Sequence, residues 1–335
     1  MRDHMNVGLI GYKNHSLRIL KLLLSIPDVN RIVIFHPDRS KLITSRVSEL
    51  SLKIEIANDI KQLHGLDCVF ITSPNDSHAQ YITALIDQIA YLFCEKPPAT
   101  TREEIDCLKS LKQEQKQRLY FNFNYRHSAL AINARNYLQS GELGELIHMN
   151  FVATQGIAFE DSFRGNWRFS GKDPFCQIYG NLGIHYVDLA MWLLGGSPKM
   201  EVKMTTWSPH SAAADSAQIQ LIFKDRRAAN IFCSYAAPML NTAQIIFTDG
   251  FLELRDGVLN VHRPRRTLDE SGMFQTPPGE SIARFASSRH YYDNSLANSL
   301  QYFLKTVSKR DLFHFSDFEN SIKVNEIILS NAAPV

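Results

Sequence analysis

The first 123 residues constrain the fold more than any other part of the chain, because short apolar runs alternate there with helix-patterned segments. Asn6 to Ile10 is a strand-like run ending at Gly11. Leu17 to Ile26 is a leucine-rich helical pattern stopped by Pro27, and Arg31 to Phe35 is a β-branched strand closed by His36-Pro37. Asp67 to Thr72 reads as a buried strand before a Ser73-Pro74-Asn75 turn, Ser77 to Gln88 as a helix, and Ala90 to Cys94 as another strand. Thr100 to Leu111 has helical spacing with Arg102, Glu103 and Glu104 outward, and Leu119 to Phe123 is a further strand. Such alternation builds βαβ units, which require a parallel sheet with helices on both faces. Ligands of these sheets bind at the carboxyl ends of the strands. Gly11, His36, Ser73-Pro74-Asn75 and Glu95-Lys96-Pro97 all fall there.

After Tyr125 the pattern changes. A helix from Ala129 to Leu138 ends at Gly141, Glu145 to Thr154 is a long strand, and a helix from Asn181 to Leu194 follows an irregular stretch. Strands are expected near Lys199–Thr206, Ala217–Phe223, Ala228–Tyr235, Ala243–Thr248, Phe251–Leu254 and Val258–Val261, and their short turns imply a largely antiparallel sheet. Ile219, Leu221 and Phe223 beside Ile231 and Cys233 suggest an apolar outer face, which a second subunit would cover, as a homodimer or homotetramer. Arg263 to His290 reads as a long loop. A helix from Tyr291 to Val307 carries Leu296, Leu300, Phe303, Leu304 and Val307 on one stripe. The last helix opens at Ser316-Asp317-Phe318-Glu319, a capping-box spacing. With 335 residues, and about 150 per domain, the boundaries expected are 1–123 and 124–335.

Lys plus Arg number 36 against 34 Asp plus Glu, so no field draws a polyanion, which argues against nucleic acid as a partner. The cluster His262-Arg263-Pro264-Arg265-Arg266 reads as a solvated loop or as a phosphate contact. Cys68, Cys94, Cys107, Cys176 and Cys233 are scattered, with no metal-ligand spacing and no disulfide framework. After Met1-Arg2-Asp3-His4 the apolar run Val7–Ile10 meets a glycine, so no signal peptide is read. No stretch approaches ~18 apolar residues. The chain is expected to be cytoplasmic and not to span a membrane.

Two segments carry chemistry. Phe93-Cys94-Glu95-Lys96-Pro97-Pro98 places a lysine at a strand end, before a proline open to a cis bond. Gly180-Asn181-Leu182-Gly183-Ile184-His185-Tyr186-Val187-Asp188 places Asn181, His185 and Asp188 along one helix face. Lys96 and His185 make a proton-handling pair for a small molecule, with a surface lysine beside a turn and a satisfied core histidine as the bland readings. Asp188 either orients His185 or caps local backbone. Trp167-Arg168 lines the substrate pocket or packs, and Arg126 and His127 face the substrate or a domain interface. Between the first strand and helix, Gly11, Lys13 and Ser16 occupy the glycine positions of a G-x-G-x-x-G fingerprint. Gly11 can make the tight turn. Lys13, beside Asn14, either obstructs the backbone approach or swings out toward a phosphate.

Together these motifs resemble the glucose–fructose oxidoreductase / inositol dehydrogenase / rhizopine catabolism (Gfo/Idh/MocA) family. Asp67 to Asn75 with His78 is similar to its third nucleotide-binding strand and turn. Cys94-Glu95-Lys96-Pro97 is similar to its E-K-P motif, Asn124-Tyr125-Arg126 to its entry into the second domain, and Gly141-Glu142-Leu143-Gly144-Glu145 to its turn into the long strand. Gly183 to Leu189 resembles its G-x-H-x-x-D-L helix. The resemblance implies an α/β protein with an N-terminal doubly wound Rossmann domain and a C-terminal α/β domain bearing an open, mainly antiparallel sheet. It also implies an NAD or NADP cofactor, a carbohydrate or cyclitol substrate, and Lys96 and His185 assisting hydride and proton transfer. The implied cofactor contacts are Gly11, Lys13, Asn14, His36, Asp38, Arg39, Ser73, Pro74, Asn75, His78, Glu95 and Lys96; no metal is implied. The family's D-x-G-x-H becomes Asn181-Leu182-Gly183-Ile184-His185, which removes a carboxylate one turn before the histidine. The ribose-gripping acid is displaced to Asp38, and Arg39, Ser40 and Lys41 can equally hold a 2′-phosphate, so NAD and NADP both stay open. An oxidoreductase acting on a sugar carbinol is the leading expectation. A non-catalytic sugar- or nucleotide-binding protein, or a redox-neutral glycosidase or epimerase that retains its cofactor, are the alternatives.

Overall fold

The structure is a computed structural model that describes residues 4–44, 47–161, 165, 168, 174–211, 213–263 and 268–331. The chain divides into two compact units, Met1–Phe123 with Ser299–Glu326, and Asn124–Asn298 with Ile327–Val335.

The first unit holds six strands, β1 (Met5–Ile10), β2 (Val29–Phe35), β3 (Ile54–Ile56), β4 (Cys68–Ile71), β5 (Tyr91–Glu95) and β6 (Leu119–Asn122). All pair in parallel, in the order β3-β2-β1-β4-β5-β6. This is the doubly wound order whose direction reverses between β1 and β4, where such sheets take ligands. Only β3 escapes a periodicity reading, because three residues are too few to show one. The helices are α1 (Asn14–Leu24), α2 (Arg39–Thr44), α3 (His78–Leu85), α4 (Arg102–Ser110) and the single turn α5 (Gln113–Lys116). At α4 the Thr101 side chain accepts from Glu104 N, while Glu104 turns back to accept from Thr100 N at 2.7 Å and Thr101 N at 3.2 Å. Glu104 is therefore a cap rather than the outward residue expected, and the reason is the four unpaired N–H groups of a helix start.

The second unit adds α6 (Ala129–Ser140), β7 (Leu146–Thr154), α7 (Ile184–Leu194), β8 (Lys199–Thr205), β9 (Ser216–Ile222), β10 (Ala228–Ser234), β11 (Leu240–Phe247), β12 (Gly250–Arg255), β13 (Val258–His262) and β14 (Gly279–Arg284). The eight strands run β14-β13-β12-β11-β7-β10-β9-β8, antiparallel except where β10 pairs β7. Two expectations change here. The stretch after Arg263 contains β14, which pairs antiparallel with β13. Its Gly-Glu-Ser-Ile-Ala-Arg sequence lacks apolar alternation because an edge strand needs no second buried face. Residues 264–267 of the basic cluster lie outside the described residues, while Arg263 donates to Tyr137 Oη at 2.9 Å. Ile219, Leu221, Phe223, Ile231 and Cys233 are all buried, so they form the inner face and not the outer one.

The outer face is instead crossed by a polar row. Glu201, Gln220, Asn230, Asn150, Gln244, Glu253 and Asn260 are register partners in turn from β8 to β13. Ile222, Phe232 and Leu240 stand partly exposed beside it.

The chain ends with α8 (Ser288–Lys309) and α9 (Phe315–Ser330). The stripe Leu296, Leu300, Phe303, Leu304 and Val307 is buried as its spacing requires. α9 begins at Phe315, one residue before the capping-box spacing, so Ser316 lies inside the helix and Asp317 N bonds His314 O. Among the described residues no helix is long and apolar enough to cross a membrane. In the first unit Phe303 is fully buried, with ring centroids 5.2 Å from Phe70, 5.3 Å from Phe93, 5.9 Å from Tyr120 and 5.6 Å from Phe313. Phe303→Ala is expected to cost roughly 3–5 kcal/mol, the usual loss for a buried Phe. Urea unfolding followed by fluorescence measures it, and a loss under about 1 kcal/mol would remove Phe303 from the core's centre.

Candidate active site

In the first unit the turn from β1 to α1 is built on Gly11, at φ 128°. A Cβ there would sit 2.5 Å from Ser16 Oγ and 2.9 Å from Thr72 O, so only glycine fits. Ser16, at the third glycine position, is buried and donates to Thr72 O at 3.2 Å, while Thr72 Oγ1 lies 2.8 Å from Ser16 Oγ. The hydroxyl pair thus replaces close glycine packing by a hydrogen bond between helix and strand. Lys13 is exposed, with Nζ 6.0 Å from the Tyr12 ring centroid, and Asn14 opens α1, whose first turn has no acidic residue. The positive end of this helix is therefore not offset from within its own first turn.

Beside this turn, Gly11 N donates to Phe35 O at the end of β2. His36 meets Tyr12 edge-on at 4.7 Å, and its Nδ1 accepts from Asp38 N at 3.0 Å. Asp38 Oδ1 accepts from Ser40 N and Ser40 Oγ, and Lys41 Nζ stands 3.6 Å from Oδ2. The Ser40 hydrogen bonds, and then the Lys41 charge, hold the Asp38 carboxyl below its ordinary range. Asp38 is thus engaged within its own turn, next to the exposed Arg39.

Ser73 and Asn75 are half-buried and Pro74 is exposed; Ser77 Oγ donates to Pro74 O at 2.7 Å. His78, the first residue of α3, is fully buried rather than open to a ligand. Its Nδ1 is 2.7 Å from Pro97 O and its Nε2 is 3.0 Å from Ser73 O. Burial pushes its pKa down. At the end of β5, Glu95 is buried, with Oε1 2.8 Å from His15 Nε2 and 2.6 Å from Asn122 Nδ2. Burial alone would raise this carboxyl, but the His15 charge and hydrogen bond, the Asn122 amide and the Lys96 charge outweigh it and hold the pKa at about 2. Lys96 follows, half-buried, and the Lys96–Pro97 bond is cis.

In the second unit the helix carrying His185 begins irregularly. Tyr179–Gly183 is a π-helical turn, and α7 proper starts at Ile184. The α-helical face expected to join Asn181 to His185 is therefore interrupted; such turns concentrate at functional sites. A Cβ on Gly183 would come within 2.6 Å of Ile219 Cδ1, which explains a glycine where this turn lies on β9. Asn181 Nδ2 donates to Tyr235 Oη at 2.7 Å. Burial pushes the Tyr235 hydroxyl up to about 12, against the Arg168 charge and the Asn181 hydrogen bond. His185 is buried, with its ring 5.2 Å from that of Tyr125. Trp167 lies outside the described residues.

Arg126 and Asp188 pair with each other, Nε to Oδ2 at 2.9 Å and Nη2 to Oδ1 at 2.5 Å, with both side chains buried. Arg126 was read as facing the substrate or a domain interface, and Asp188 as orienting His185 or capping backbone; the structure joins them in a forked ion pair between the 124–127 turn and α7, since a buried charge requires a close partner. His127 is pushed down to about 4 by burial and by the Arg126 charge. His15, Asn122 and Tyr235 were absent from the residues singled out by motif. Each lies outside the motif letters and becomes visible only through a contact distant in sequence.

Residues 5–123 match the family described as "Oxidoreductase family, NAD-binding Rossmann fold", and residues 132–253 match the "GFO/IDH/MocA C-terminal domain". The two ranges together take in well over half of the chain. The levoglucosan dehydrogenase of Pseudarthrobacter phenanthrenivorans is 25% identical over 151 residues, 45% of this chain and 38% of that protein. The inositol 2-dehydrogenase of Salmonella typhimurium is 30% identical over 147 residues, 41% of this chain and 40% of that one. These matches thus span about two fifths of each relative's own length. A solved levoglucosan dehydrogenase in complex with NADH and levoglucosan superposes with a TM-score of 0.79 at 18% identity, over 98% of this chain and 97% of that one, a likeness of fold.

The Glu95 carboxyl makes a pH prediction. Its folded pKa of about 2 lies below the ordinary 4.5, so its stabilisation is complete above pH 4.5 and lost as pH falls toward 2. A shift of this size corresponds to about 3 kcal/mol. Glu95→Gln should therefore lower stability at pH 7 and flatten its decline below pH 4.5. Urea midpoints at pH 7, 4.5 and 3 measure both, and a wild-type slope in the variant would refute the assignment.

Proposed function

This chain belongs to the GFO/IDH/MocA oxidoreductase family, and on that premise we propose that it is an NAD(P)-dependent dehydrogenase acting on a carbinol of a sugar or sugar derivative. The observation that carries this reading is the Gly11 cradle, which a single Cβ would fill, set on the same sheet as a Lys96 bracketed by buried hydrogen bonds. The cradle fits a dinucleotide: backbone can approach closely at Gly11, α1 presents its positive end, and Lys13 stands clear on the solvent side. The nicotinamide, when bound, supplies the hydride acceptor or donor. Gly11, Lys13 and Asn14 bind its phosphates in this reading, with His36, Asp38 and Arg39 at the adenosine ribose and the Ser73-Pro74-Asn75 turn, Glu95 and Lys96 toward the nicotinamide. The Lys96 ammonium stabilises charge developing on the carbinol oxygen. His185 takes or returns the hydroxyl proton. Asn181, already donating to Tyr235, offers its carbonyl oxygen to a neighbouring substrate hydroxyl, and Arg168 beside Tyr235 lines the same region.

A binding protein without turnover is the second reading, favoured by Asn181, which supplies no charge where the family has a carboxylate. The five cysteines, scattered with no disulfide framework in their spacing, support a cytoplasmic setting.

His185→Ala should lower turnover by ~10²–10⁴-fold while leaving dinucleotide affinity near wild type. Levoglucosan and the inositols are the first substrates to try, with NAD and NADP titrated side by side. No binding of either dinucleotide at millimolar concentration would remove the dehydrogenase reading, and binding without turnover of any sugar would favour the second one.

The outer sheet face suggests a homo-oligomer on different grounds from the sequence. Amides donate and accept alike, so the Gln220, Asn230, Asn150, Gln244 row is complementary to its own copy across a two-fold axis, flanked by Ile222, Phe232 and Leu240. Asn230→Glu with Gln244→Glu would set carboxylates against carboxylates. Light scattering should then show wild-type dimers or tetramers and variant monomers; a monomeric wild type at micromolar concentration would end this proposal.

A further inference from the structure

The turns that close β4 and β5 leave the sheet side by side, since the last register pair of these strands is Ile71 with Cys94. Past that pair, one side chain reaches both turns. His78 is fully buried, with its two ring nitrogens 2.7 Å from Pro97 O and 3.0 Å from Ser73 O. We infer that His78 is a positioning residue: a strut between the Ser73-Pro74-Asn75 turn and the Lys96–Pro97 turn that sets where Lys96 stands.

The geometry around Lys96 makes the strut consequential. Its preceding neighbour, Glu95, is held through its carboxylate by His15 and Asn122. Its following neighbour, Pro97, is held through its carbonyl by His78. Lys96 is thus anchored on both sides along the chain. A lysine has four flexible bonds, so its ammonium has a defined reach only if its Cα is fixed. A misplacement of ~1 Å at a reacting group can cost ~10²-fold in rate. A flat five-membered ring with nitrogens on opposite edges spans two carbonyls that no single hydroxyl, with its one donor, could bridge. A ring with one N–H supports one carbonyl, and a ring with two supports both. Burial, the largest influence, pushes the ring's pKa down, against the two carbonyl hydrogen bonds and the Glu95 charge.

That Lys96 serves the reaction rests on the proposed function; that His78 places Lys96 does not. The test therefore reads Lys96 directly. Wild type, His78→Phe (similar bulk, no donor) and His78→Gln (donor retained) are labelled with trinitrobenzenesulfonate, and Lys96 modification is compared with exposed Lys61 by peptide mass spectrometry. His78→Phe should change the Lys96 to Lys61 ratio by at least about threefold, as local opening alters access. His78→Gln should return most of the way to wild type. An unfolded His78→Phe beside a folded His78→Gln with near-wild-type labelling also supports the strut, because a donor rather than bulk is then what the site requires. Unchanged Lys96 labelling in a folded His78→Phe overturns it. So does loss of folding in both variants, or equal perturbation in both with equal loss of thermal stability, since His78 is then a packing residue. A wild-type protein that binds no NAD would end the proposed function, yet the labelling ratio would still decide the strut.

Discussion

A single buried carboxylate organises the first unit. Glu95 Oε1 receives His15 from α1 and Asn122 from the neighbouring strand, and Asn122 Oδ1 in turn accepts from Ser299 Oγ, which lies 2.7 Å from Tyr120 Oη. One chain of hydrogen bonds therefore runs from a residue near the C-terminus, through the sheet, to the first turn of α1. All its members except the partly exposed His15 are buried, and a buried polar network contributes order only when its members are all satisfied. The positions of the Gly11 turn and of Lys96 consequently depend on one another, because both answer to Glu95.

The parallel sheet was legible because its central strands β1, β4, β5 and β6 are buried on both faces and read as near-continuous apolar runs, with turns that name themselves through glycine and proline. The outer and inner faces of the second sheet were not. Ile219, Leu221, Ile231 and Cys233 alternate as half-buried strands should, but alternation does not say which side α7 and its π turn will cover. Strand β14 was invisible for the opposite reason, since an exposed edge leaves no periodic trace.

The site was legible at the level of motifs and obscure at the level of contacts. Gly11, Lys96 and His185 stand where their motifs place them in each unit. Arg126 and Asp188 were each given local or interfacial roles, and their pairing with one another could not be read from the sequence. Ser16 stands at a glycine position of the fingerprint, and its hydroxyl and that of Thr72 form a bond that glycine could not. These outcomes turn on pairs separated by more than fifty positions, which a one-dimensional pattern does not carry.

The return of residues 299–326 to the first unit has a consequence for how the protein is made. The sheet completed by residue 123 lacks the cover of Phe303 and Phe313 until the intervening 124–298 have been translated. At ~5–20 residues per second this is a delay of roughly 10–35 s. Throughout it, Phe70, Phe93 and Tyr120 present an aromatic surface on a nascent chain still attached to the ribosome. Residues 124–298 of the second unit, all but its final 327–335, are made before that cover is. A chaperone that shields aromatic surface would find its most persistent client in the earliest part of the polypeptide.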